Sequence, residues 1–383
     1  MDEKEKICLM KIKRLDLKKQ WRNEEKKLLP IVKNVLSSGI YVGGKYINSL
    51  EKKLAKYCGT KYAICTNSGT DALTLALHVS GIKRGDEVIT QSNSFIASAS
   101  CIAHLGAIPV FADVDKNRML DPNSVEKKIT KKTKAIIPVH LSGEIGHMNL
   151  LKRIAIKHNL HIIEDAAQSI GSSLILNLKN QKKHMSGSFG TLGCFSAHPL
   201  KNLNAAGDSG FIVTDNKAYY NRIKLLINHG LKSRGNSKFF GYVSRMDNLQ
   251  AAIIQYRLKG LNNKILARRK NAEIYFSELK SVPIKLPLES TRRFNSYHLF
   301  VIQAKNRNKL KDFLKKRGIE TDIHYPIPIH RQDVYSSLSK KKLSLKNTEA
   351  QAKTILSLPI HEFLKKKEIL YICNQIKIFF NEK

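Results

Sequence analysis

The sequence predicts an α/β fold, with a mainly parallel sheet in a large domain and a smaller C-terminal α+β domain. From residue 61 to residue 214, short β-rich runs alternate with helical patterns, which is typical of a parallel sheet covered by helices on both faces. Helical patterns then dominate from residue 217 to residue 279. After Pro283 and Pro287 the pattern changes to one strand and several helices. We therefore expect a large domain at residues 12–262 and a small domain at residues 263–383.

Each predicted element rests on the local pattern of apolar residues. Short runs of apolar and β-branched residues predict strands, and apolar residues at helical spacing predict helices. In chain order, the large domain is predicted to contain a strand at 62–65, a helix at 71–79, a strand at 87–90, a helix at 95–104, strands at 108–111 and 135–139, a helix at 150–158 and a strand at 161–164. The small domain is predicted to contain a strand at 297–304 and helices at 309–317, 348–356 and 366–379.

The chain is strongly basic. Its 383 residues include 67 Lys and Arg against 31 Asp and Glu, a formal net charge of +36, but 42% of the residues are hydrophobic, so we expect a folded core. The basic residues are spread along the chain and are not interleaved with aromatic residues as a nucleic-acid-binding face would require. We interpret the charge as a solvated lysine-rich surface with no specific nucleic-acid partner, whose field can help an anionic substrate reach its site.

The sequence also indicates a cytoplasmic protein without a metal site. No stretch reaches the ~18 uninterrupted apolar residues of a membrane span, and residues 1–13 lack the apolar segment of a signal peptide. The six cysteines show neither C-x-x-C pairing nor zinc-ligand spacing. We interpret them as buried thiols of a reducing compartment.

The first segment with candidate chemistry is residues 66–73, which follow a predicted strand and open a helix. Small residues let backbone N–H groups approach a ligand, and a helix N-terminus favours an anion. The segment is therefore a candidate phosphate-binding loop. Ser68 or Thr70 could equally be an ordinary N-cap residue with no ligand.

Two further segments supply a carboxylate and a lysine. Glu164 and Asp165 end an apolar strand, where open α/β sheets bind ligands, although Asp165 could also be a capping residue. Lys201 lies between a strand and the Gly-rich turn 207–210, although it could be an ordinary surface lysine. With the phosphate loop, these are the parts that pyridoxal phosphate (PLP) chemistry requires. The lysine forms a Schiff base with the cofactor aldehyde, and the aspartate keeps the ring nitrogen protonated.

Through these motifs the chain resembles the DegT family of sugar aminotransferases, which are fold type I PLP enzymes, from about residue 15 to residue 376. The resemblance is carried, in order, by residues 38–44, 67–73, 137–141, 164–168, the segment around Lys201, 244–252 and 324–330. It implies a mainly parallel seven-stranded sheet in the large domain, bound PLP, and a homodimer with shared active sites.

The resemblance also assigns roles to individual residues. Lys201 is implied to be the Schiff-base lysine, and Asp165 the partner of the ring nitrogen. The other implied cofactor contacts are Gly69, Thr70 and Ser196 to the phosphate, Gln168 to the phenolic oxygen and Phe95 on the ring. The implied substrate contacts are His198, His324 and Tyr325, together with Arg245 at a diphosphate.

The sequence departs from the family pattern at Val243. Members commonly carry an Asn here, ahead of Ser-Arg, which reaches the cofactor phosphate of the neighbouring subunit. Valine has no hydrogen-bonding group, so one phosphate contact is expected to be missing. Ser209, where a Gly is usual, is a milder change.

The resemblance implies a cytoplasmic, homodimeric aminotransferase that transfers an amino group from glutamate to a nucleotide-linked keto-sugar. Residues 201–203 and 207–208 resemble members that aminate sugar carbon 3 more than members that aminate carbon 4. Two alternatives stay open. One is a PLP-dependent sugar dehydratase of the same fold, in which the lysine is replaced by histidine. The other is a catalytically inactive basic binding protein, which would leave Asp165 without a role.

Overall fold

The computed structural model describes residues 10–176, 181–336 and 343–381, whose strands form one seven-stranded sheet, two three-stranded sheets and one two-stranded sheet. The helices are α1 (Leu17–Ser37), α2 (Lys45–Cys58), α3 (Gly69–Val79), α4 (Ala97–Ala103), α5 (Pro122–Glu126), α6 (Met148–Lys157), α7 (Lys217–Leu226), α8 (Asn248–Lys259), α9 (Leu261–Leu279), α10 (Arg307–Lys316), α11 (Asp333–Ser336), α12 (Lys346–Ala352) and α13 (Lys366–Asn381). The strands are β1 (Tyr62–Thr66), β2 (Glu87–Gln91), β3 (Ile108–Ala112), β4 (Thr133–Ile137), β5 (His161–Asp165), β6 (Ser173–Ile175), β7 (Lys183–Met185), β8 (Leu192–Ser196), β9 (Gly210–Thr214), β10 (Leu231–Ser233), β11 (Asn236–Ser237), β12 (Ile284–Lys285), β13 (Arg293–Phe294), β14 (Phe300–Ala304) and β15 (Ile355–Leu358).

The central sheet has seven strands in the order β1-β9-β8-β5-β4-β2-β3. The pairs from β8 to β3 are parallel, and β9 runs antiparallel to both of its neighbours. Six strands therefore point the same way, and their carboxyl ends meet at one edge of the sheet. The predicted α/β class and mainly parallel seven-stranded sheet are confirmed.

Both faces of this sheet are buried, because helices cover each of them. Successive side chains of a strand point to opposite faces, so one strand contributes to a core on either side. Along β8, Cys194 joins the core beneath α3, while Phe195 joins the core beneath α2 and α8. Phe195 also stacks on Phe211 of β9 at a ring-centroid distance of 4.5 Å. The continuous runs of apolar residues in these strands are thus explained by burial on both faces of the sheet.

A second sheet, in the order β12-β14-β15, carries the C-terminal core together with α9, α10 and α13. Leu261 and Ile265 of α9 pack in a core of the central sheet, whereas Tyr275 and Leu279 pack in the C-terminal core. The predicted boundary between residues 262 and 263 falls in the first turn of this helix. The division into two domains stays a prediction.

The prediction of a helix at 348–356 is wrong at its end. The helix α12 ends at Ala352, and β15 (Ile355–Leu358) pairs antiparallel with β14. All four residues of β15 are buried, so the demand for a sheet partner overrides the local helical pattern. The predicted strand at 297–304 is likewise shorter, because β14 begins at Phe300.

Three properties of the described residues bear on the expected class of protein. No helix among them combines the length and apolar character needed to cross a bilayer. Nowhere in the described ranges do three or more His, Cys, Asp or Glu side chains form a group suited to a metal ion. The cysteines within those ranges are free and buried, while Cys8 lies outside them.

Candidate active site

A cavity of about 300 Å³ opens at the carboxyl edge of the central sheet. Every site residue predicted from the sequence lines it, with the single exception of Arg245. The placement follows from the topology: β5 ends at Asp165, β8 ends at Ser196, and the N-terminus of α3 directly follows β1. Ligands of open α/β sheets bind at this edge, so the fold brings together segments that are far apart in the sequence.

Asp165 ends β5 and is 5% exposed. Its Oδ2 accepts a hydrogen bond of 2.7 Å from the Ser98 hydroxyl, and its Oδ1 accepts one of 3.2 Å from the backbone N–H of Ala167. Buried carboxylates need such donors. The two hydrogen bonds orient the carboxylate at the wall of the cavity, where it can face a cationic group.

The adjacent carboxylate, Glu164, points to the opposite face of the strand and has a structural role. Its Oε2 lies 2.8 Å from His140 Nε2, and its oxygens accept hydrogen bonds from the backbone N–H groups of Gly187, Phe189 and Gly190. These hydrogen bonds fix the loop that precedes β8 against the end of β5. Of the two candidate acids, only Asp165 faces the cavity.

Lys201 reaches the cavity from the turn after β8. Its backbone N–H donates to the carbonyl of His198 at 2.9 Å, which fixes the turn. Burial lowers the pKa of its ammonium group from 10.5 to about 8, although the negative charge of Asp165 opposes this effect. A lysine with this pKa is partly neutral near physiological pH and can act as a nucleophile or a base.

The N-terminus of α3 forms the phosphate-loop candidate. Ser68 is the N-cap, because its Oγ accepts from the backbone N–H of Asp71 at 3.0 Å. The backbone N–H groups of Gly69 and Thr70 have no acceptor among the described residues. A helix N-terminus with free N–H groups favours an anion. Ser68 is therefore an N-cap residue, and its capping bond leaves the N–H groups of Gly69 and Thr70 available to a phosphate.

Gly69 is required at this position by a close approach. A Cβ on residue 69 would lie 2.7 Å from Ser196 Cβ, closer than side-chain carbons pack. The loop and Ser196 thus meet at one point, which forms a cradle that a larger residue would fill. This geometry fits the phosphate of PLP.

We expect Gly69→Ala to weaken PLP binding. Separating the loop from Ser196 costs about 1–3 kcal/mol, the usual cost of overpacking, which corresponds to a loss of affinity of roughly 5- to 150-fold. Equilibrium dialysis of PLP measures the change. The control is Gly146→Ala, where the nearest atom to the new Cβ is 4.0 Å away. Unchanged affinity in a folded Gly69→Ala variant would show that this loop does not hold the phosphate.

Gln168, Tyr325 and Phe95 form the wall next to Asp165. Gln168 Oε1 accepts from the backbone N–H of Ser142 at 2.8 Å, and its Nε2 donates to the Tyr325 hydroxyl at 3.2 Å. The rings of Phe95 and Tyr325 lie 6.0 Å apart, and Phe95 is 55% exposed. An exposed aromatic face at a cavity is a stacking surface for a planar ring.

The two predicted substrate-binding histidines both line the cavity and have different hydrogen-bond partners. His198 Nδ1 accepts from the backbone N–H of Leu200 at 3.3 Å. His324 Nδ1 lies 2.9 Å from the Ser357 hydroxyl, and its Nε2 lies 3.6 Å from Asp322 Oδ2. Burial lowers the pKa of His324 to about 4 despite the charge of Asp322, so its imidazole is neutral at pH 7.

Arg245 does not line this cavity. Its guanidinium donates to Asn228 Oδ1 at 3.0 Å, while its buried Nε has no partner among the described residues. Val243, two residues earlier, is 60% exposed. The diphosphate contact of Arg245 therefore stays a prediction.

Among the cavity residues that were not predicted as site residues are three with polar side chains: Ser98, His298 and Arg14. Ser98 is one of several small residues in α4, and no local pattern distinguishes it. His298 has a buried Nδ1 without a partner among the described residues, and burial lowers its pKa well below 6.5. Arg14 precedes α1, outside all the motifs that carry chemistry.

One cavity brings together a partly neutral lysine, a hydrogen-bonded carboxylate and the N-terminus of a helix. This combination defines the site of a fold type I PLP enzyme. Residues 22–377 match the model of the DegT/DnrJ/EryC1/StrS aminotransferase family. The chain belongs to this family.

Individual relatives agree with this assignment. The chain is 38% identical over 356 residues to the dTDP-3-amino-3,6-dideoxy-alpha-D-galactopyranose transaminase of Aneurinibacillus thermoaerophilus, covering 93% of this chain and 96% of the relative. The crystal structure of S. venezuelae DesV in complex with a ketimine intermediate superposes with a TM-score of 0.92 at 35% identity, covering 96% of this chain and 98% of DesV. The PLP form of a putative sugar aminotransferase from Streptococcus pneumoniae superposes with a TM-score of 0.87 at 26% identity, covering 93% of this chain and 96% of that one.

Proposed function

We propose that this aminotransferase transfers an amino group from glutamate to carbon 3 of a nucleotide-linked keto-sugar. The observation that carries the proposal is the meeting of Lys201, Asp165 and the N-terminus of α3 in one cavity. Family membership makes the reaction class an amino transfer. The Aneurinibacillus relative is named for a 3-amino nucleotide sugar, which supports the choice of sugar and carbon.

The residues present fit PLP. The N–H groups at the start of α3 and Ser196 would hold the phosphate, Asp165 would face the ring nitrogen, and Phe95 would cover the ring. When bound, PLP supplies an aldehyde that can carry an amino group and a ring that withdraws electrons from the reacting carbon. Asp165, oriented by Ser98, provides the negative charge that makes a protonated ring nitrogen stable.

Lys201 would be the base and acid of the reaction. Its Nζ is neutral in a substantial fraction of molecules near pH 8, so it can accept a proton from a substrate carbon and return it at another carbon. His198, His324 and Tyr325 would position the sugar. Because His324 is neutral and Tyr325 keeps its proton, these groups can exchange hydrogen bonds with hydroxyls without adding charge.

The pKa of Lys201 can be tested through the pH dependence of cofactor capture. Since this pKa is about 8 rather than 10.5, the neutral amine at pH 7 is roughly 300 times more abundant than in an ordinary lysine. We expect the rate at which the cofactor-free protein captures PLP to rise about fivefold from pH 7 to pH 8 and to level off above pH 9. Stopped-flow absorbance measures the rate, and N-acetyl-lysine is the reference compound. A rate that still rises steeply at pH 10, as the reference does, would contradict the low pKa.

The sugar and the carbon are tested with a panel of substrates. The protein, PLP and glutamate are incubated separately with nucleotide-linked 3-keto and 4-keto sugars, and products are identified by mass. We expect an aminated product from a 3-keto sugar. Amination of 4-keto sugars alone would overturn the choice of carbon, and amination of none would overturn the substrate class.

The two alternatives predict other products. A sugar dehydratase would release a deoxy sugar without incorporated nitrogen. The resemblance implies a histidine in place of the lysine in such members, whereas this chain has Lys201. A cofactor-free binding protein would not retain PLP. The buried Lys201 and the hydrogen-bonded Asp165 support the aminotransferase over both alternatives.

We further propose that the enzyme is a cytoplasmic homodimer with shared active sites. An exposed apolar surface, formed by residues 40–42 with Phe240, Tyr242 and Val243, supports the dimer. The two segments are linked close by, because Val42 pairs with Asp247, which follows Val243 in the same segment of the chain. The surface also adjoins the phosphate loop, since the backbone N–H of Asn67 donates to the carbonyl of Ser244. Free, buried thiols are consistent with a reducing cytoplasm.

Val243→Asn tests the shared site. If the partner subunit extends residue 243 towards the cofactor phosphate, an Asn there adds one charge-assisted hydrogen bond, and PLP should be retained about tenfold more tightly. The measurement is loss of PLP during dialysis, with the dimer checked by light scattering. Val334→Asn, another exposed valine, is the control. Unchanged or faster loss of PLP from a correctly folded Val243→Asn dimer would show that residue 243 does not reach the phosphate.

A further inference from the structure

Arg14 is held in place from both sides along the chain. Ile12 pairs with Ile319, donating to the carbonyl of Gly318 at 2.8 Å and accepting from the backbone N–H of Glu320 at 2.9 Å. On the other side, Asp16 caps α1 by accepting from the backbone N–H of Lys19 at 3.1 Å. The backbone N–H of Arg14 itself donates to a carboxylate oxygen of Glu320 at 3.3 Å.

The N-terminal segment also passes very close to Gly318. This residue has φ +77°, and a Cβ on it would lie 2.4 Å from the carbonyl oxygen of Met10. Only glycine combines that conformation with that approach. The path of the chain before α1 is therefore built into the C-terminal core, and the position of Arg14 at the cavity follows from it.

The side chain of Arg14 lines the active-site cavity next to the predicted substrate contacts. Its Nε lies 3.7 Å from Asp322 Oδ2, the same oxygen that lies 3.6 Å from His324 Nε2. Among the described residues, nothing accepts a hydrogen bond from its guanidinium. The positive charge of Arg14 also contributes to lowering the pKa of His324 and opposes the rise in the pKa of Tyr325.

This charge has no task in binding the cofactor as derived above. The phosphate would be held at the start of α3, and the ring by Asp165 and Phe95. The guanidinium of Arg14 has paired N–H donors that can bind a carboxylate through two parallel hydrogen bonds. The half-exposed carboxylate of Asp322, whose Oδ2 lies 3.7 Å from Arg14 Nε, does not form this bidentate pair. Arg14 and Lys201 line the same cavity, so an anion bound by Arg14 would be part of a molecule on which Lys201 acts. An amino-acid donor carries a carboxylate one bond from its reacting carbon.

We propose that Arg14 is a carboxylate-recognition residue of the active site, and that the carboxylate belongs to the amino-acid donor. The inference rests on the proposed function for the identity of that donor. Arg14 precedes residues 22–377, which match the family model, so the match assigns nothing to it. A keto-sugar that itself carries a carboxylate is the other possible source of the same group.

The test measures binding rather than turnover. The PLP-loaded protein is titrated calorimetrically with glutarate, which has the carboxylates of glutamate but no amino group, and separately with glucuronate, a sugar acid. We expect Arg14→Gln to weaken glutarate binding by about 10- to 100-fold and Arg14→Lys, which keeps the charge but loses the fork, to weaken it less. Arg22→Gln, which changes an exposed arginine of α1, should leave binding unchanged.

The outcomes separate the inference from the proposed function. A loss of binding confined to glucuronate would overturn the inference, because the carboxylate bound by Arg14 would then belong to the sugar and not to the amino-acid donor. The inference would be overturned if Arg14→Gln bound each acid with the affinity of the wild type, or if the wild type bound neither acid. In steady state, Arg14→Gln should raise the KM for glutamate while the cofactor content stays constant. Failure of the proposed function would instead show as absence of amino transfer in every variant, including the wild type.

Discussion

Lys201→Ala is expected to lower the rate of amino transfer by at least about 10²- to 10⁴-fold, because the site loses the group that moves the proton. Lys201 is the one lysine among the described residues that lines this cavity. Its low pKa allows it to act as a base near neutral pH. The assay measures transfer from glutamate to an accepted keto-sugar. Lys217→Ala, which removes an exposed lysine at the start of α7, should retain normal activity.

Chemical trapping tests the same residue independently of activity. Borohydride reduction of the PLP-loaded protein should fix the cofactor covalently, and peptide mapping should place it on Lys201. A modified peptide containing any other lysine would contradict the assignment, even if Lys201→Ala were inactive.

Asp165→Asn is expected to slow the reaction about 100- to 1000-fold, corresponding to roughly 2.7–4 kcal/mol, the typical effect of removing one preorganised electrostatic group. The amide oxygen can still accept from the backbone N–H of Ala167 while the amide nitrogen donates to the Ser98 hydroxyl oxygen, so the geometry should survive while the negative charge is lost. The measurement is kcat at saturating glutamate and keto-sugar.

The matched control is Asp333→Asn, which changes an exposed aspartate in α11. Circular dichroism and PLP content should be compared between both variants and the wild type. Near-normal kcat in Asp165→Asn would rule out the proposed electrostatic role of the carboxylate.

Much of the fold and the main chemistry could be predicted because both depend on local patterns. Apolar runs that end in polar residues marked β5 and β8, and parallel topology then requires Asp165 and Ser196 to meet at one edge. The same logic brings in the small residues at the start of α3, which follow β1. These residues are identifiable from the sequence because each one ends or begins a recognisable element.

The residues that were missed act through contacts between distant segments. Ser98 orients Asp165 across 67 positions of sequence, and nothing in α4 distinguishes it from its small neighbours. The cavity position of Arg14 depends on the pairing of Ile12 with Ile319. In a chain with 67 Lys and Arg residues, one more arginine carries no signal of its own. The helices α1 and α2 were also not among the predicted elements.

Pleating explains why two adjacent acids were both candidates. The sequence places Glu164 and Asp165 together at the end of a strand, but neighbouring side chains of a strand face opposite ways. Glu164 accordingly binds His140 and the loop before β8, while Asp165 faces the cavity. Choosing between them requires knowing which face of the sheet carries the cavity.

The central claim is that this chain moves nitrogen from an amino acid to a keto-sugar, and isotope transfer tests it most directly. The protein with PLP is incubated with ¹⁵N-glutamate and the 3-keto nucleotide sugar, and the product is analysed by mass spectrometry. We predict a sugar product that carries ¹⁵N, formed together with 2-oxoglutarate in equal amount. A product without the label, or 2-oxoglutarate without an aminated sugar, would contradict the account.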